Sequence, residues 1–149
     1  MRLPKFFLVS SVLCALSFAA RAQTTSPPTE DPSLLTWCAD LAANTAAELS
    51  FEQQKLALTS GEQSAWGAYS AGINSGLQTV ETACAALPNP LPTDFPSLFA
   101  ARASIRAARV AADQTMAPVI SGFYAVLTSN QQTIYNHIND RHGVFGAGF

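Results

Sequence analysis

An all-α chain of about four helices, folded into long hairpins, is what the sequence predicts, and three observations predict it. Apolar residues recur at intervals of three and four through most of the chain, the spacing of one helical face. No segment alternates apolar and polar residues over the length of a strand, and alanine is abundant while β-branched residues are sparse. The heaviest break, Pro88-Asn89-Pro90-Leu91-Pro92, falls between two periodic runs rather than inside one.

The first element is not part of the fold. Arg2 and Lys5 precede an apolar run over residues 6–20 that closes in Ala20-Arg21-Ala22, the charge, length and small-residue pattern of a secretory signal peptide cleaved after Ala22. Cys14 follows Leu13, where a lipid-anchor signal requires a small residue, so a lipoprotein is not expected. Residues 23–32, QTTSPPTEDP, are polar and proline-rich and predict a disordered leader. The helical domain is expected over residues 33–142 and a glycine-rich flexible tail over 143–149.

Within the domain, Leu34, Cys38, Leu41, Thr45 and Leu49 mark the apolar face of the first helix. Trp66, Tyr69, Ile73, Leu77, Val80, Cys84 and Leu87 form a cleaner seam, spaced 3, 4, 4, 3, 4 and 3, as in a bundle or coiled coil. After the proline break, Thr93 or Asp94 is the predicted cap of a third helix carrying Phe95, Leu98, Phe99, Ile105, Ala108, Ala112, Met116, Val119 and Phe123. Pro118 lies within that run, and a kink is expected there because the apolar period resumes beyond it. Ile134, Tyr135 and Ile138 predict a short fourth helix.

Charge and cysteine content narrow the classes of function. With the signal removed, five basic residues face ten acidic ones, a net charge of −5 that disfavours nucleic acid as a partner. No later stretch is long and apolar enough to span a bilayer. Two thiols remain, Cys38 and Cys84, and in an oxidising exported compartment they are expected to pair, the alternative being two buried free thiols. The midpoint between them is residue 61, so a reversal there brings both sulfurs to the same height on facing helices, joining helices 1 and 2.

That reversal coincides with one of two similar strings, Leu58-Thr59-Ser60-Gly61-Glu62 and Leu127-Thr128-Ser129-Asn130-Gln131. Each reads as a capping box: the threonine hydroxyl accepts from the amide three residues on, while the Glu62 or Gln131 side chain reaches back to the threonine amide. A Leu-Thr-x-x-Gln string used twice behind a signal peptide resembles the LTxxQ-motif family of periplasmic proteins, the Spy/CpxP-like stress chaperones. The resemblance spans residues 34–140. The second copy matches outright at Leu127, Thr128 and Gln131, the first carries glutamate at Glu62, and Trp66, Tyr69, Phe123 and Tyr124 flank the two copies. It implies a helical hairpin, often dimerised into a thin cradle, that holds unfolded envelope proteins without ATP.

Candidate sites follow from that expectation. Arg102, Arg106 and Arg109 share one helical face at i, i+4 and i+7, near Phe95 and Phe99, and are the expected client-binding residues. The competing reading is a solvated face with Arg109 and Asp113 as an i,i+4 pair. His137, Asp140 and His142 are the only candidates for a metal site, at a spacing that does not place both histidines on one helical face. No nucleophile is matched with a base, and no phosphate loop, dinucleotide fingerprint or haem-attachment motif occurs. An enzyme is therefore not expected, nor a cofactor. Metal binding, or an accessory helical role with one dedicated partner, are the alternatives to the chaperone.

Overall fold

The computed structural model describes residues 32–142, so the expected signal peptide, most of the leader and the tail lie outside the described residues. Four helices follow one another: α1 Pro32–Leu56, α2 Gln63–Ala85, α3 Phe95–Val126 and α4 Ser129–His142. α1 opens at Pro32, one residue inside the expected leader, and proline suits a first helical turn because the amide it lacks has no partner there. The most extensive pairing is between α2 and α3; α1 lies on α2, and α4 folds back onto α1.

The α2–α3 pair is built from the predicted seam. Trp66, Tyr69, Ile73, Gly76, Leu77 and Val80 are buried on α2, and Ile105, Ala112, Met116 and Phe123 on α3. Two glycines let the helices approach: a Cβ on Gly72 would stand 2.4 Å from Val119 Cγ2, and one on Gly76 would stand 2.6 Å from Met116 Sδ. At the α4 end the contact is aromatic, with Tyr69 stacked on Phe123 at 4.6 Å between ring centroids and Tyr135 edge-on to both. Asp94 proves to be the cap of α3, its Oδ1 accepting from the Ser97 amide at 2.9 Å. Helix α3 continues unbroken through Pro118.

A second, smaller core sits at the other end, where Leu34 of α1 and Ile105 of α3 enclose Leu91 from the connecting segment. Leu91, read from sequence only as part of a helix stop, is 3% exposed. Beside this core the predicted disulfide joins Cys38 and Cys84 across a separation of 46 residues, with Cα atoms 5.7 Å apart. The first and last turns of the α1–α2 hairpin are thereby tied, as the midpoint at residue 61 predicts.

Candidate functional site

Three places gather functional side chains. The first is the junction of the two threonine strings. At Thr128 the capping box is complete: Gln131 Oε1 accepts from the Thr128 amide at 2.8 Å, and the Gln131 amide donates to Thr128 Oγ1 at 3.4 Å. At Thr59 only the return half follows the expected pattern, Glu62 Oε2 accepting from the Thr59 amide at 2.7 Å. There the Glu62 amide bonds the Thr59 carbonyl, and α2 starts one residue after Glu62. Ala57, just past α1, takes the left-handed conformation with φ 47°, the form in which many helices end.

The two strings then meet. Gln131 Nε2 donates to Glu62 Oε2 and to the Leu56 carbonyl, both at 3.1 Å. One buried amide thus caps α4, closes the end of α1 and holds the first string. The Thr59 amide, with Gln131 next in effect, holds the Glu62 carboxyl below the usual carboxylate range. Leu58 is half-buried against the main core and Leu127 is buried in it, so the leucines anchor both strings. The junction ties the end of α1, the first string and the start of α4 together.

The second place is the outer face of α3. Phe95 is 74% exposed and Phe99 53%, and their ring centroids lie 6.0 Å apart. The Arg106 guanidinium stands 5.3 Å from the Phe99 ring, a cation–π contact on the surface. Val110 continues the exposed apolar line, at 56% exposure. The predicted arginine stripe divides: Arg106 stays outside with the phenylalanines, Arg102 is half-buried, and Arg109 turns to α1, where its guanidinium lies 5.7 Å from the Trp37 ring.

The third place has no counterpart in the sequence reading. Glu52 is 5% exposed on α1. Its Oε2 accepts from Tyr69 Oη at 2.8 Å and its Oε1 from Asn139 Nδ2 at 3.2 Å. Tyr135 Oη adjoins Tyr69 Oη at 3.3 Å, extending the chain of bonds across α1, α2 and α4. Burial pushes the Glu52 carboxyl up, against the opposing pull of Tyr69 and Asn139, and pushes both tyrosine hydroxyls up as well. The only advance signal was a glutamate three residues beyond Leu49 on an apolar helix face, which also fits a solvated position.

His137 and Asp140 are both exposed, and the side chain of His142 lies outside the described residues. Among the described residues no three histidine, cysteine, aspartate or glutamate side chains converge as a metal would require. No described helix is long and apolar enough to cross a membrane. Fold and sites together define an all-α, disulfide-tied helical hairpin protein with an exposed aromatic–arginine helix face. Comparison with protein-family models, with curated proteins and with solved structures finds no match.

Proposed function

We propose that this chain is an exported, ATP-independent holding chaperone of the cell envelope that binds unfolded proteins on the outer face of α3. The observation that carries this reading is the pairing of Phe95 and Phe99, 74% and 53% exposed, with Arg106 over the Phe99 ring. Two phenylalanines with that exposure on one helix face are costly to leave in water, at roughly 25 cal/mol per Å² of apolar surface, and an unfolded segment that covers them recovers that cost. Arg106 adds a donor fork that suits carboxylates and backbone carbonyls without demanding one sequence. The doubled threonine string, through its resemblance to the LTxxQ-motif chaperones, supports the same function.

The test is aggregation of a reduced or heat-unfolded client followed by light scattering. The protein without its signal segment is expected to slow aggregation at near-stoichiometric ratio. A Phe95→Ser, Phe99→Ser double variant is expected to lose that effect while keeping its helical circular dichroism and melting curve, since neither side chain is in the core. Indifference of several clients to the unmodified protein, or full activity of the double variant, overturns the reading.

A further inference from the structure

A cleft of about 350 Å³ opens between α1, α2 and α4, away from the exposed face of α3. Its walls are largely apolar, with Leu49 and Phe51 from α1, Ile73 from α2 and Ile138 from α4. Glu52 and Glu48 also line it. A volume in this range, mostly apolar and with a few convergent polar groups, is the usual form of a small-molecule site.

Among the described residues, no cationic side chain bonds Glu52. Both donors to Glu52, Tyr69 Oη and Asn139 Nδ2, are neutral, so they satisfy hydrogen bonds without balancing the charge. A carboxylate offers about four acceptor positions, and these two bonds use half of them. No lysine or arginine is among the described residues that line the cleft; Lys55, one turn beyond Glu52, places its Nζ 5.3 Å from the Phe51 ring centroid. A buried carboxylate without a cation is expensive, and a cation supplied from outside relieves that expense where an anion or a neutral apolar molecule does not.

We propose that this cleft binds a small amphipathic cation, a primary ammonium on an apolar body, with the ammonium on the Glu52 carboxylate and the body against Leu49, Ile73 and Ile138. The ammonium donates to the two unused acceptor positions of Glu52. The site is independent of the α3 face, so either assignment stands or falls alone.

Phenethylammonium is the probe, with 2-phenylethanol as its neutral counterpart and 3-phenylpropionate as the anionic one, each titrated calorimetrically into the folded protein. The ammonium is expected to bind saturably and at least about tenfold more tightly than the alcohol, a margin of about 1.4 kcal/mol, with the carboxylate weaker still. E52Q is expected to erase that margin. Ala47→Arg, at an exposed helix position on the lining of the cleft, retains Glu52 and its hydrogen bonds; it is expected to abolish ammonium binding by occupying the cleft with a tethered cation. It tests the site independently of E52Q. Absence of saturable ammonium binding, equal binding of ammonium and alcohol, or ammonium affinity unchanged in either folded variant overturns the proposal.

Discussion

Gln131 satisfies four groups with one amide: its Oε1 takes the Thr128 amide and hydroxyl, and its Nε2 serves the Leu56 carbonyl and the Glu62 carboxylate. Thr128→Ala removes a helix cap and is expected to cost about 1 kcal/mol in urea unfolding. Gln131→Ala removes the same cap interaction and also strands the buried Leu56 carbonyl, a further loss of about 1–3 kcal/mol. Equal unfolding midpoints for the two variants would show that the bridge between the strings contributes nothing. The two buried-end glutamates respond to pH with opposite sign. Glu52 binds its proton more tightly folded than unfolded, so its contribution to stability falls as pH rises above the ordinary carboxylate range toward its raised native value. Glu52→Gln, whose amide nitrogen turns to Tyr69 Oη, is therefore expected to raise the melting temperature at pH 7, the gain vanishing near pH 4. Glu62 is held below the ordinary range, so its contribution is present above that range and is lost as pH falls through the depressed value. Glu62→Gln is expected to lower the melting temperature at pH 7 and to match the unmodified protein in acid.

Among the helices, α2 and α3 depend on what their glycines face. Gly122 of α3 has open space where a Cβ would go, so Gly122→Ala is expected to stabilise by about 1 kcal/mol through helix propensity alone. Gly72→Ala places its Cβ 2.4 Å from Cγ2 of Val119, a stiff β-branched side chain. Overpacking of that kind costs about 1–3 kcal/mol, enough to cancel or exceed the propensity gain, so the variant is expected to melt below Gly122→Ala and at or below the unmodified protein. Gly76→Ala meets only the flexible Met116 side chain and is expected to fall between the two. Thermal unfolding by circular dichroism orders the three; Gly72→Ala melting as high as Gly122→Ala would mean that α2 and α3 do not approach closely at Val119. The second threonine string was legible as a helix start because a capping box is a local pattern. The later start of α2, after Glu62, was not, because at the first string the Glu62 amide bonds the Thr59 carbonyl in a turn, where the box requires the Thr59 hydroxyl.

The whole molecule holds α1 by its two ends. Cys38–Cys84 ties its first turns to the last turns of α2, and Gln131 grips the Leu56 carbonyl at the other end. Closing a loop over 46 residues removes unfolded-chain entropy equivalent to about 4 kcal/mol. Reduction, or a Cys38→Ser, Cys84→Ser pair, is expected to lower the melting temperature and to speed amide hydrogen exchange first around Leu34 and Leu91, where the smaller core depends on α1 staying in place. Unchanged exchange there after reduction would mean that the small core stands without the bond. Lys55 and Phe51 at the far end should keep their protection longer, since the Gln131 grip is untouched.

What the sequence by itself determined is the part of the protein written in short-range spacing. Period-3.6 runs, the proline break before Asp94 and the two threonine strings placed four helices in order, and two cysteines centred on residue 61 set the register of the first hairpin. Tertiary structure alone decided what depends on distant partners. Glu52 meets Tyr69 and Asn139 across 17 and 87 residues of chain, Gln131 meets Leu56 across 75, Leu91 turns inward, and Arg109 leaves its stripe for Trp37. The physical reason is that helix periodicity and capping are satisfied within a few residues. Whether a polar side chain is buried, paired or left facing an open cleft is set by which surfaces the helices bring together.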